Sequence, residues 1–473
     1  MRIIGRSDER ARLNEINRSG RPEFVVVYGR RRVGKTYLIR ETFEDRFSFI
    51  HTGLPCASTR KQLSHFLKSL KDYGYAGRGT PKDWFEAFDM LKTAVSSRME
   101  KRKVIFIDEL PWMDSSRSDF LIALEAFWNE WASPRKDILF IVCGSASSWI
   151  VNRLFKDKGG LHNRITARIL LKPFTLHECE LYLQSRAIEM TRNDIAECYM
   201  ALGGIPYYWR LLTRGCSLAQ NFDSMFFSDS APLKGEFAEL YASLFRNAPI
   251  YMKIVSVLAG RKAGMTRPEM TRAANIPATG AVSDALEALE ESGFIRRYNF
   301  FGKKKRESVY QLIDNFTLFH FRFLDNATMD PHFWTNTLSS PGQAAWRGLA
   351  FERLCLQHSE QMRKSLGIAG VHTEIYAWRH VGDDIYPKGA QIDLILDRAD
   401  NVINICEMKY TKGRYLLDKD TLEELNEKDE VFCAVSKTRK AVHLTMVTSN
   451  GLVDNAYSKQ IQSEITLADL FAE

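Results

Sequence analysis

Residues 24–46 read FVVVYGRRRVGKTYLIRETFEDR, and few folds admit such a segment. A short β-branched apolar run predicts a strand buried on both faces, and the apolar spacing after it predicts a helix. Between them lies the pattern G-x-x-x-x-G-K-T. Gly29 and Gly34 let the backbone curl until its N–H groups converge, and a helix N-terminus behind such a curl favours negative charge. Lys35 is expected to reach the β- and γ-phosphates of a nucleotide and Thr36 to ligate Mg²⁺. Val33 and Tyr37 complete the segment expected to surround ATP. The loop is filled by Arg30, Arg31 and Arg32. The backbone does the cradling here, so these side chains are expected to point outward and line the rim of the site.

The first 170 residues repeat the strand–helix alternation. FSFIHT (47–52), KVIFIDEL (103–110) and ILFIVCGSASS (138–148) are further apolar runs, and helical spacing fills the gaps. Buried strands alternating with helices predict an α/β fold with a doubly wound parallel sheet. Ligands bind such sheets at the carboxyl ends of the strands. Asp108 ends the third run and is placed to hold Mg²⁺. Glu109 is the natural base or water-positioning group for hydrolysis. Ser145, just past the fourth run, is placed to sense the γ-phosphate. Beyond it, Arg164 and Arg168 are the candidates for an arginine finger acting on a neighbouring subunit.

A chain of 473 residues is too long for one compact domain. We expect an ATPase domain over 1–170, a helical lid over 171–235, a winged helix over 236–325, a linker over 326–345 and a last α/β domain over 346–473. In the winged-helix segment, Thr266 and Glu269 have capping-box spacing. Arg296, Arg297, Tyr298, Phe300, Phe301, Lys303, Lys304, Lys305 and Arg306 form an aromatic and basic hairpin, suited to a phosphate backbone. The preceding helix, ATGAVSDALEALEESGF, is acidic and argues against deep major-groove reading. The net charge of +8 permits a nucleic-acid partner without requiring one. The eight cysteines include no C-x-x-C pair, as suits reduced thiols in cores and not zinc sites. No apolar signal core opens the sequence and no run approaches the ~20 residues that span a bilayer. A soluble cytoplasmic protein is expected.

In the last domain, Asp393 lies in GAQIDLILD, and Glu407 and Lys409 end VINICEMKY. The two-residue period of a strand puts Glu407 and Lys409 on one face. Glu352, in AWRGLAFERL, stands upstream on a helix. Glu on a helix, Asp on a strand and Glu-x-Lys on the next strand resemble the PD-(D/E)XK nuclease core, although Ile392 replaces the proline of that signature. The resemblance implies that Glu352, Asp393 and Glu407 hold Mg²⁺ and that Lys409 helps activate the attacking water.

A second resemblance covers about half the chain. GRRRVGKT, IDELPWM and ALGGIPYYWRLL together are similar to the archaeal-type ATPase family of the STAND/AAA+ group. IIGRSDERARLNEI resembles the box that precedes the phosphate loop in AAA+-type ATPases. This places Gly5 and Arg6 near the adenine, and Gly203, Gly204 and Pro206 in the G-G-x-P motif of a helical lid. The two resemblances together imply an ATP-binding and -hydrolysing ATPase coupled to DNA binding and Mg²⁺-dependent nuclease activity, with a possible homo-oligomer through the arginine finger. The alternatives are a nucleotide-dependent switch or scaffold with an inactive C-terminal domain, and a regulator in which only the winged helix touches DNA.

Overall fold

The computed structural model describes residues 3–115, 118–145, 147–156, 161, 163–245, 247–303, 308–325, 330–382 and 384–473. The chain divides into two compact units, Met1–Pro173 and Phe174–Glu473.

The first unit is built on five parallel strands: β1 (Glu23–Tyr28), β2 (Phe49–Thr52), β3 (Lys103–Asp108), β4 (Ile138–Gly144) and β5 (Ala167–Leu170). Their order is β2-β3-β4-β1-β5. β3 and β4 are buried along their whole length, as their unbroken apolar sequence requires. Helices α1 (Ser7–Arg18), α2 (Lys35–Thr42), α3 (Thr59–Asp72) and α4 (Trp84–Ser96) alternate with the strands. One core cluster joins Phe24, Phe66, Trp84, Phe88, Phe127 and Phe140. The four strands expected from sequence are present. The fifth was hidden in NRITARILL, where only Ala167 and Ile169 turn inward while Arg168 and Leu170 face out.

The second unit opens with the helices Leu176–Ser185 and Arg192–Leu202, each started by a capping box, from Thr175 and Thr191. After further short helices up to Leu244 come the helices Ala248–Ala259, Arg267–Ala273 and Gly280–Glu291. They accompany an antiparallel sheet of β6 (Met265–Thr266), β7 (Ile295–Tyr298) and β8 (Val309–Leu312), ordered β6-β8-β7. The Thr266–Glu269 capping box is formed. Last comes the helix Pro341–Gln357, then β9 (Thr373–His380), β10 (Ala390–Arg398), β11 (Val402–Lys409), the helix Lys419–Ser436, β12 (Ala441–Thr448) and β13 (Ser463–Thr466). The sheet order is β13-β12-β11-β10-β9. β9, β10 and β11 form an antiparallel meander, and β11, β12 and β13 run parallel. The sequence reading found only two of these five strands, β10 and β11; in TEIYAWRH, AVHLTMVT and SEIT polar residues break up the apolar run.

Among the described residues no helix is long and apolar enough to cross a membrane.

Candidate functional site

The strand ends of the first unit build one site. Gly29 has φ 143°, and a Cβ there would lie 2.3 Å from the Leu171 carbonyl oxygen. The chain beside β5 therefore presses against the loop, and only glycine fits. Gly34 caps α2 with φ 93°, so the chain turns into the helix in a left-handed conformation. Lys35, the first residue of α2, is buried. Its Nζ donates to the carbonyls of Gly29 and Arg30, each at 3.0 Å, and to Ser145 Oγ at 3.2 Å. Burial holds its pKa below the ordinary lysine value in spite of the neighbouring carboxylates.

Thr36 Oγ1 donates to Asp108 Oδ2 at 2.8 Å. The register that sets Ile107 beside Val142 brings the end of β3 against Cys143 on β4. The Cys143 thiol donates to Asp108 Oδ1 at 2.6 Å. Burial, with the Asp108 charge added, pushes that thiol well above its ordinary pKa, so it remains a donor. Glu109 is gripped twice by Ser145, through the backbone N–H (3.1 Å) and the hydroxyl (2.6 Å). Sequence spacing singled out Lys35, Thr36, Asp108, Glu109 and Ser145, and the fold brings them together. Cys143 was missed, although it lies on the strand two residues before Ser145.

The arginines of the loop do not behave alike. Arg30 is buried, whereas Arg31 and Arg32 are half-buried. The expectation that all three point outward is corrected for Arg30: it directly follows Gly29, where the loop lies tight against residue 171. Val33 is buried, Tyr37 is exposed, and Arg6 is buried at the start of α1 in a left-handed conformation (φ 59°) after Gly5. Arg164 is exposed. Arg168 lies over the Phe155 ring, 4.2 Å from its centroid.

The second unit contains an open cavity of about 690 Å³, lined in part by Glu352, Asp393, Glu407, Lys409 and Lys428. Glu352 comes from the helix Pro341–Gln357. Asp393 lies on β10 where the pairing with β9 slips by a residue between Ile392 and Ile395, a bulge that re-aims side chains. β10 pairs with β11 from Leu394↔Cys406 onward, and one step further sets Asp393 beside Glu407. Gln391 Nε2 donates to Asp393 Oδ1 at 2.6 Å. Glu407 is held by Lys409 at 2.9 Å and Lys428 at 3.0 Å. Burial opposes its charge, but the two lysines outweigh burial and keep its pKa below the ordinary value.

Glu352 and Asp393 share a third lysine. Lys262 Nζ lies 2.9 Å from Glu352 Oε1 and 3.0 Å from Asp393 Oδ2. Burial and the nearby Asp393 charge raise the Glu352 pKa. Among the described residues no group of three or more His, Cys, Asp or Glu is gathered closely enough to hold a metal ion. The three carboxylates line one cavity but are divided between separate lysines. Sequence reading missed Lys262 and Lys428, which lie on a turn and on a charge-rich helix with no motif of their own.

Residues 4–212 match the family model of an ATPase domain found predominantly in Archaea. The N-terminal part of the chain carries an archaeal-type P-loop ATPase domain. A protein of Methanocaldococcus jannaschii, described as uncharacterized, is 24% identical over 401 residues, covering 81% of this chain and 83% of that one. A Walker-type ATPase of Pyrococcus abyssi resembles the chain in fold, with a TM-score of 0.50 and 16% identity. That likeness covers 68% of this chain and 96% of the other.

The ATPase match continues into the second unit as far as the G-G-x-P turn. There Gly203 caps a helix with φ 63°. A Cβ on Gly204 would lie 1.9 Å from the Phe174 carbonyl oxygen, and Pro206 begins the short helix Pro206–Trp209. Trp209 Nε1 donates to Gly203 O at 2.7 Å and Phe174 N to Gly204 O at 2.6 Å. Within this unit the motif shapes a turn. The aromatic residues of the basic hairpin serve packing. Tyr298 is buried, Phe300 bridges to Ala377 of β9, and Phe301 packs on Tyr376 and Phe432. Arg297 is exposed and lies 3.6 Å from Glu290. Lys304, Lys305 and Arg306 lie outside the described residues.

Proposed function

We propose that this chain binds and hydrolyses ATP as an AAA+/STAND-type ATPase, and that its second unit binds DNA and cleaves it with Mg²⁺. The observation that carries the reading is the meeting of Lys35, Thr36, Asp108, Glu109 and Ser145 at the carboxyl ends of β1, β3 and β4.

In ATP binding, Lys35 would exchange the Gly29 and Arg30 carbonyls for the β- and γ-phosphate oxygens, while the loop N–H groups cradle the chain of phosphates. Thr36 and Asp108 present hard oxygen donors 2.8 Å apart, a donor set that suits Mg²⁺, and the ion would neutralise phosphate charge there. Glu109, fixed by two bonds from Ser145, would orient the attacking water and take its proton. Gly5 and Arg6 would flank the adenine. Arg164, exposed, would serve a neighbouring copy as an arginine finger.

In the second unit, the order helix, β9, β10, β11, helix, β12 together with the carboxylate-lined cavity supports the nuclease reading. Glu352 and Asp393 already share a cation, the Lys262 ammonium. Glu352 Oε2 is buried without a hydrogen-bond partner among the described residues. Both observations suit a divalent ion between Glu352 and Asp393, which would polarise the scissile phosphate. Glu407, now paired with Lys409 and Lys428, would have to turn toward it to serve as the third ligand. Lys409, on the face of β11 that carries Glu407, would orient the attacking water.

Two variants test the reading. Glu109→Gln should bind ATP and lose turnover, and Asp393→Ala should lose Mg²⁺- or Mn²⁺-dependent DNA cleavage. One observation favours a second reading, a nucleotide-dependent switch with a catalytically silent C-terminal domain: each of the three carboxylates is already ion-paired with a lysine. ATP turnover by the wild-type chain with no cleavage under any metal or nucleotide would select that reading.

A further inference from the structure

We infer that Lys262 is a built-in occupant of the cation position in the acidic cleft, and that its ammonium must withdraw before a divalent ion can bind. The inference rests on the reading of Glu352, Asp393 and Glu407 as a metal site.

Lys262 does not belong to the elements that form the cleft. It lies on the turn after the helix Ala248–Ala259, ahead of β6. Yet its ammonium bridges the two carboxylates, one from the helix Pro341–Gln357 and one from β10. A single positive charge between two negative ones leaves the pair half compensated, and Glu352 Oε2 is buried with no hydrogen-bond partner among the described residues. A divalent ion would balance the pair and engage that oxygen, but it would contest the same space as the ammonium.

The turn is fixed from several sides, so the placement of Lys262 is more than one long side chain finding a nearby charge. Gln311 Nε2 donates to the Lys262 carbonyl at 2.6 Å, and Arg296 Nε holds the other end of that amide at 2.6 Å. Arg353, the residue after Glu352, also donates to the Lys262 carbonyl, and the Tyr298 hydroxyl donates to the Ala263 carbonyl. Gly264 closes the turn at φ 76°, where a Cβ would lie 2.4 Å from Tyr310 O. One helix thus supplies both the carboxylate that grips the ammonium and the guanidinium that grips the backbone. The side chain itself is 39% exposed, so the ammonium has a route to solvent that leaves the turn intact. The three-helix unit therefore carries a plug for the cleft, and anything that shifts this turn opens the site to metal.

The test is Mn²⁺ binding to the full chain by electron paramagnetic resonance. It is done without nucleotide and in an Asp108→Asn background that silences the first unit's site. Lys262→Met, which keeps the stem and removes the charge, should bind Mn²⁺ at least about tenfold more tightly. Lys262→Arg should stay near the parent, and adding Asp393→Asn to Lys262→Met should erase the gain. If Asp393→Asn abolishes Mn²⁺ binding but Lys262→Met leaves it unchanged, the metal site stands and the plug is refuted. If none of these variants alters Mn²⁺ binding, the reading of the cleft as a metal site falls and the plug with it. A second measurement needs no substitution at 262: acylation of the Lys262 amine, read by peptide mass spectrometry, should rise severalfold on adding Mn²⁺. Labelling that is indifferent to saturating Mn²⁺ overturns the plug even if the methionine variant folds poorly.

Discussion

Glu109 sits at φ 48° and ψ 47°, a left-handed conformation uncommon for a side chain of its size and characteristic of functional sites. The two bonds from Ser145 hold it there, and the same hydroxyl accepts from Lys35. Ser145 therefore joins the Lys35 ammonium, proposed to meet the phosphates, to the carboxylate that would position water. Ser145→Ala should leave ATP affinity within about threefold and lower turnover by roughly 10- to 100-fold. Nucleotide titration beside steady-state phosphate release separates the two. An equal loss in both would assign Ser145 to binding alone. At this scale, Lys35, Thr36, Asp108 and Glu109 were legible because one short motif and one strand end impose their chemistry. Lys262 was not: it is brought to Glu352 and Asp393 by packing, across 90 residues in one case, and no local pattern encodes that meeting.

The G-G-I-P turn depends on a missing side chain. With the place of a Gly204 Cβ taken by the Phe174 carbonyl, Gly204→Ala forces the backbone apart and should cost about 2–4 kcal/mol. A lowered thermal midpoint checks this, and an unchanged one would contradict the close approach. Nearby, His358 is buried. Its Nε2 accepts from Leu176 N at 3.2 Å, and its Nδ1 bonds the Leu354 carbonyl at 2.9 Å. Burial pushes its pKa down from 6.5 to about 4. The unfolded chain takes up this proton near pH 6.5 and the folded chain only near 4. The stabilisation is therefore complete above pH 6.5 and drains away as pH falls toward 4, by up to about 3 kcal/mol. Denaturant unfolding of His358→Gln should show a correspondingly shallower loss between pH 7 and pH 4. The same slope in both proteins would exclude His358 as a source. Among elements, strands buried on both faces announced themselves as unbroken apolar runs. β5, β9 and β13 did not, because each is short or broken by polar and charged residues, and a few apolar residues are a weak signal.

On the scale of the whole molecule, the division into Met1–Pro173 and Phe174–Glu473 gathers the helical segment, the three-helix unit and the C-terminal sheet into one body. Three separate modules were expected from the sequence. Composition shifts mark linkers but cannot show that Phe300 and Phe301 pack against β9 and the helix behind it, nor that a turn of the three-helix unit reaches the acidic cleft. The two proposed activities, nucleotide hydrolysis and phosphodiester cleavage, meet in one assay. Linear DNA is incubated with Mg²⁺ or Mn²⁺ and the wild-type chain or Lys409→Ala, each with and without ATP. The wild type should show metal-dependent cleavage that ATP alters and Lys409→Ala abolishes. Identical behaviour of the two proteins under every condition would contradict the coupling of an ATPase to a nuclease in this chain.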